Sequence, residues 1–354
     1  MSEGAPVEAF SDPILRASAA DALRQAAPNA RLTADRDDPG PIAADHWALA
    51  VDMGWTGVCI GEEAGGLGLD IAHAADIAEE MGRNLFYGPF AETAVLLPAI
   101  AREAAGDFAG LLAGVVSGAV RLALAEPDKG RLAGDGPWEL APVAHAQEAT
   151  HFLVLREEDD AGLEATLAEV GKTEVEPLQA LDATASAGRV RIADPGACRT
   201  CRLDAGAAHR VMAPMHVATA ADLLGIGEAA LERTAEHVRT RQQFGEPLGR
   251  FQAIKHRLAD VHTALAGSRL AVAHAACNPG DFEAAVLARV IAADAALAAT
   301  AAAIQFHGGM GFSWELDLHL YLKRARRLNA TGGGTARLRA ASGDRFIASV
   351  LETA

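Results

Sequence analysis

The chain is short of aromatics and cysteines, and it has no basic run and no long uninterrupted apolar segment. Each shortage excludes something. Aromatics make up 5% of its 354 residues and the net charge is −16. So acidic a molecule, with few rings to stack on bases, is a poor partner for nucleic acid or an anionic membrane surface. The long run from Ala284 to Ile304 is mostly alanine and is broken by Arg289 and Asp294. It reads as a packed helix, because a membrane span needs roughly 20 uninterrupted apolar residues. The opening MSEGAPVEAF is acidic and lacks a basic-then-apolar signal, so a cytoplasmic protein is expected. Of the four cysteines, Cys198 and Cys201 form a Cys-x-x-Cys with no second pair to complete a zinc tetrahedron. Without a thioredoxin-like strand–helix context they read as two thiols in a connecting loop. His216 and His307 have no ligand-spaced partners either and read as core or rim histidines. No metal site is expected.

What is present is an ordinary globular composition, half hydrophobic and 22% charged, long enough for two or three domains. Ser11 is a helix N-cap candidate, with Pro13 in the first turn and Leu15, Ala19, Ala22 and Leu23 at helical spacing. Further helical patterns follow to about residue 119. From Arg121 the pattern changes to short apolar runs, RLALAEP, THFLVLRE and GRVRIADP, separated by Gly, Asp and Pro as strands are. The 3.6-residue period returns near Gly206, where Leu224, Leu231 and Val238 share one face. The fold class expected is α+β, mostly α. Residues 1–119 form an N-terminal helical domain, 120–204 a small middle β domain and 205–354 a C-terminal four-helix bundle.

Two stretches in the last domain stand out, RTRQQFGEPLGRFQAIKHRL (239–258) and QFHGGMGF (305–312). The first ends one helix at Phe244-Gly245, turns at Glu246-Pro247 and opens another. Phe251, Ile254, Leu258, Val261 and Leu265 then form one apolar face. The second removes three side chains, at Gly308, Gly309 and Gly311, where an alanine-rich helix stops. An Arg at one helix end and bare glycine backbone at another can offer a phosphate a fixed charge and N–H groups.

Arg-x-x-Phe-Gly with a following Phe-Gln, then Gln-x-x-Gly-Gly-x-Gly, resembles the C-terminal helical domain of the acyl-CoA dehydrogenase family. HWALAVDMGWTGVCIGEEAGGLGLD and AEEMGRNL resemble its first domain. The resemblance covers most of the chain and is weakest between about Ala125 and Ala205. It implies FAD as cofactor, an acyl-CoA thioester as substrate, and a homo- or hetero-oligomer of acyl-CoA dehydrogenase subunits. Carried over by motif, Arg241, Phe244, Gln305, Gly308 and Gly309 are the residues that reach the adenosine-diphosphate half of a neighbouring subunit's FAD. The family's catalytic glutamate falls on Gly332 or Gly333, and its alternative position on Met215, so no acid stands at either place. The flavin-ring motifs of the middle domain are reduced to Ala125-Glu126-Pro127-Asp128-Lys129-Gly130, with no Trp-Ile-Thr after it.

The resemblance therefore implies a subunit without its own catalytic glutamate that completes a sister chain's FAD site, like the shortened subunits of some bacterial heterotetramers. Two alternatives stand beside it. One is a self-sufficient homodimeric flavoenzyme using an unconventional base such as Asp222, which lies roughly 10 Å along the helix from Met215. The other is a non-enzymatic assembly scaffold.

Overall fold

The computed structural model describes residues 12–26, 40–104, 106–126, 132, 136–158, 162–331 and 334–352. The fold is the one expected, mostly helical with a small β region and a C-terminal set of helices. In chain order, the helices before the sheets are α1 (Pro13–Ala26), α2 (Gly40–Asp52), α3 (Ile71–Arg83), α4 (Leu97–Ala104) and α5 (Leu112–Val116). The helices after them are α6 (Ala205–Thr240), α7 (Gln252–Cys277), α8 (Phe282–His307), α9 (Leu318–Ala330) and α10 (Gly334–Glu352). Between the two sets run β1 (Leu122–Ala125), β2 (Trp138–Ala144), β3 (His151–Glu157), β4 (Leu163–Glu169), β5 (Thr173–Leu178), β6 (Ala187–Ile192) and β7 (Arg199–Leu203). The chain forms two compact units that interleave in sequence. One takes its described residues from Asp35–Ala74 and Tyr87–Met215, the other from Met1–Ala34, Ala75–Phe86 and His216–Ala354.

The mixed unit is a layered body. One sheet runs β1-β3-β4-β7 and a second β2-β6-β5. Strand alternation decides which side chain faces which layer. Leu153 and Leu155 of β3 pack with Leu97, Ile100, Phe108 and Val115 from the helices. Phe152 and Val154 turn the other way, toward Trp138, Leu140 and Val190 of the second sheet. Cys201 lies on β7 itself and packs against the helical side, whereas Cys198 packs against the core between the sheets. The connecting loop expected for both thiols holds Cys198 only, since Cys201 lies on a strand paired with β4 from Leu163↔Leu203 to Leu167↔Arg199. The two thiols are free and belong to different layers.

In the helical unit α1 is capped by Asp12, whose Oδ1 accepts the Ile14 and Leu15 N–H groups at 2.9 and 3.1 Å. Ser11, the expected cap, lies outside the described residues. The C-terminal part of α3 meets α6 backbone to backbone. A Cβ on Gly82 would stand 2.1 Å from the Asp222 carbonyl oxygen, and one on Gly225 would stand 1.9 Å from that of Glu79. Small residues allow this approach, and Ala292, Ala295, Ala296 and Ala299 do the same for α8. The segment Phe282–Phe312 is long and apolar enough to cross a membrane, yet 67% of its most apolar window is buried inside the protein, as in a core helix. Along α7, Val261 and Leu265 are buried while Phe251, Ile254 and Leu258 are only half-buried. The predicted apolar face is real, but its first half is not covered by this chain.

Candidate functional site

The Arg241–Phe251 segment differs from its sequence reading. The helix α6 ends at Thr240, and the chain then makes a hairpin in which Gln242-Gln243 (β8) pairs with Glu246-Pro247 (β9). The reversal therefore falls at Phe244-Gly245, with φ +57° and +82°, and not at Glu246-Pro247. Two consecutive positive φ values are the signature of the tight two-residue hairpin turn that normally carries Asn-Gly. A Phe at its first position is strained. That Phe is 90% exposed, and the Phe251 ring meets it only edge-on, with centroids 6.1 Å apart. Arg241 is exposed, and no ion pair holds its guanidinium among the described residues.

The second motif lies at the end of α8. Gln305, Gly308 and Gly309 are exposed, and a Cβ on either glycine would meet nothing within 4 Å. Gly308 adopts φ +61° and ψ −137°, a conformation only glycine takes readily, and its N–H donates to the Gln305 carbonyl. Met310 and Phe312 beside it are 41% and 68% exposed.

The link between the two motifs was not legible in the sequence. His237, one turn before Arg241, stacks on His307, which adjoins Gly308. Their ring centroids are 4.0 Å and their planes 25° apart. The Arg241 N–H donates to the His237 carbonyl at 2.8 Å, so the stack fixes the origin of the hairpin against the end of α8. The structure thus brings together the helix ends that carry Arg241, Phe244, Gln305, Gly308 and Gly309.

The positions examined for a base hold none. Met215 is buried in the apolar core of the mixed unit with Leu97, Val211 and Leu203. Gly332 and Gly333 lie outside the described residues. Asp222 is engaged by Arg324, whose Nε and Nη2 donate to Oδ1 and Oδ2 at 3.0 and 2.5 Å. The same guanidinium donates to the Phe86 carbonyl. A carboxylate held on both oxygens by an always-charged fork has neither oxygen free to take a proton, which counts against Asp222 as the base.

Two buried polar networks also escaped the sequence. Arg289, 1% exposed within the alanine run, donates to His216 Nδ1 at 2.9 Å and to the Leu328 and Thr331 carbonyls at 3.3 and 2.5 Å. Burial first, then the Arg289 and Arg345 charges, hold His216 well below the usual imidazole range, so its Nδ1 accepts. In the mixed unit Tyr87 donates its N–H to His46 Nδ1 at 2.6 Å and its hydroxyl to Glu148 at 2.8 Å, and Ser186 donates to the other Glu148 oxygen at 2.5 Å. Both networks join residues far apart in sequence. Among the described residues no group of His, Cys, Asp and Glu could hold a metal ion.

Comparison with known proteins agrees with this architecture. The profile for "Acyl-CoA dehydrogenase, N-terminal domain" matches residues 13–105, and that for "Acyl-CoA dehydrogenase, C-terminal domain" matches 206–346. Acyl-CoA dehydrogenase IpdE2 of Mycobacterium tuberculosis is 31% identical over 307 residues, 85% of this chain and 86% of its own. Among solved structures, a variant of the Tcur3481-Tcur3483 steroid ACAD superposes with a TM-score of 0.81 at 26% identity, over 97% of this chain and 99% of its own. A chain of the ChsE4-ChsE5 complex from Mycobacterium tuberculosis has the same fold, with a TM-score of 0.82 at 24% identity over 96% and 98%. Two matched domains in the family's order, with a relative aligned along most of both chains, establish that this chain belongs to the acyl-CoA dehydrogenase family.

Proposed function

We propose that this chain is a subunit of a heteromeric, FAD-dependent acyl-CoA dehydrogenase, and that it completes the FAD site of a sister subunit while lacking a proton-abstracting carboxylate of its own. The observation that carries the proposal is the state of the Arg241–Phe244 hairpin. A large aromatic side chain is held 90% exposed on a strained turn, beside an Arg with no carboxylate partner among the described residues. A chain gains nothing in its own core from that arrangement, so the partner surface lies elsewhere. The residues fit the diphosphate end of a dinucleotide. Arg241 supplies a planar, permanently charged fork, Phe244 an apolar face, and Gly308-Gly309 a backbone surface without Cβ atoms.

FAD, when bound, supplies the hydride acceptor for α,β-desaturation of the acyl-CoA thioester. This chain's part is to bind and orient the diphosphate and to shield it from water. Removal of the α-proton falls to a carboxylate of the sister subunit, because Asp222 is tied to Arg324 and no acid stands at residues 215, 332 or 333. The relative named for two components and for steroids makes a ring-bearing acyl group the first substrate class to try.

The test is co-expression with the sister subunit followed by flavin analysis. The complex should be yellow and should desaturate acyl-CoA, and the isolated chain should carry almost no flavin. Arg241→Ala should lower flavin retention of the complex at least tenfold. An isolated chain that holds stoichiometric FAD and oxidises acyl-CoA would overturn the proposal.

A further inference from the structure

The helix ends that carry the two motifs are both C-terminal ends. A helix C-terminus presents carbonyl oxygens and the negative end of its dipole, which repel an anion. Nor is the Gly308 N–H free, since it already donates to Gln305. Within this chain the attraction for a diphosphate, whose two phosphates are both ionised, must therefore come from side-chain cations. Arg241 is one.

The stacked imidazoles can provide another. His307 Nδ1 donates to the Ala303 carbonyl at 2.8 Å. His307 thereby satisfies one carbonyl near the end of α8, and each ring keeps a nitrogen without a protein partner among the described residues. The charges acting on the pair are all positive. Arg241, just past the end of α6, acts on His237, and Arg233 on α6 acts on His307. Ahead of α9, Asp317 is engaged by Arg233, which also lies over the Tyr321 ring of α9. On the solvent side Glu236 pairs with Arg239 at 3.4 Å, and in the hairpin Glu246 pairs with Arg250 at 3.7 Å. Burial, and then these cations, hold both histidines below the usual imidazole range while no anion is present.

We propose that His237 and His307 belong to the diphosphate site and together take up one proton when the anion arrives, so that capture of the dinucleotide by this chain is proton-linked. The inference rests on reading the Arg241 motif as a diphosphate clamp. An anion beside an imidazole favours its charged form, and a cation at a helix C-terminus is favourable in its own right. Two charged rings at stacking distance repel, so the pair titrates as one unit and takes one proton, not two. Binding raises the proton affinity of the pair, so FAD must bind more tightly as pH falls through the imidazole range around 6.5.

The experiment is calorimetric titration of FAD into the flavin-stripped complex of this chain with its sister subunit, at pH 6.5 in two buffers of different ionisation enthalpy. Dissociation constants are then measured from pH 8 to 5.5. The expected result is net uptake of up to one proton per FAD and a dissociation constant that tightens by up to about tenfold per pH unit. The double variant His237→Phe/His307→Phe keeps two stacked rings but has nothing to titrate. It should lose the uptake, and its dissociation constants at pH 8 and pH 5.5 should be nearly equal, whatever their absolute value. Each single Phe variant should lose most of both. Zero uptake by the unmodified complex, or unchanged uptake by the Phe variants, would overturn the proposal. Arg241→Ala separates the two readings. If it weakens FAD binding at every pH while the Phe variants keep their uptake, the clamp stands and the proton linkage falls. If it leaves FAD binding unchanged, the clamp itself falls.

Discussion

Arg324 closes on Asp222 with both arms, Nε to Oδ1 at 3.0 Å and Nη2 to Oδ2 at 2.5 Å, and its side chain is 4% exposed. Removing the acid alone leaves that guanidinium buried without its counter-charge. Asp222→Asn should therefore destabilise the chain by about 3 kcal/mol, read by denaturant unfolding. In complex with the sister subunit, the fraction that stays folded should keep its activity. Native stability with abolished activity would restore Asp222 as a base.

Gly225 faces the Glu79 carbonyl at a distance no Cβ can occupy. Gly225→Ala gains about 1 kcal/mol of helix propensity and loses more to the separation it forces between α3 and α6. A net loss of about 2 kcal/mol is expected, visible as a lower thermal midpoint. A raised midpoint would show that the helices can part without cost.

Phe244→Gly tests whether strain at the hairpin serves binding. Glycine relieves about 1 kcal/mol of left-handed backbone strain, so the isolated chain should be no less stable than the unmodified one. Flavin retention by the complex should nevertheless fall. If stability falls and retention does not, the aromatic is a structural residue.

His216 is neutral in the folded chain and ordinary in the unfolded one. Because its folded-state value is depressed, the unfolded chain binds the proton more readily. Its contribution is complete above about pH 6.5 and is lost as pH falls below that. The unfolding free energy should decline through pH 6 to 5, and His216→Gln should flatten that decline. Burial lowers His151 and His319 as well, so some slope remains in the variant.

Much of the fold was legible because its signals are local. The short apolar runs between Arg121 and Leu203, bounded by Gly, Asp and Pro, mark strands, and the seven-residue spacing of Leu224, Leu231 and Val238 marks a helix face. The two motifs of the C-terminal domain also stood complete in the sequence. What escaped depends on residues that meet only in the folded chain. The His237–His307 stack joins the ends of two separate helices, and neither histidine has a neighbour in sequence that announces it. Arg289 in a run of alanine looks like a solvent-facing interruption, yet the carbonyls of Leu328 and Thr331 draw it inward. The hairpin was misplaced for a different reason. QFGE lacks the Asn-Gly or Asp-Gly that usually announces such a turn, so Pro247 drew the reversal to itself.

The interleaving of the two units has a consequence for how the molecule is made. Residues 12–26 and 75–86 emerge early from a ribosome and meet each other through Arg16 on Glu79 and Glu80, but the rest of their unit begins at His216. Glu79 must wait for Glu228's neighbour Arg269, and Gly82 for Asp222. The nascent chain therefore carries α1 and α3 with only each other to pack against while more than a hundred further residues are translated. Truncation from the C-terminus strands them, so shortened forms should collect in inclusion bodies instead of yielding a smaller soluble domain.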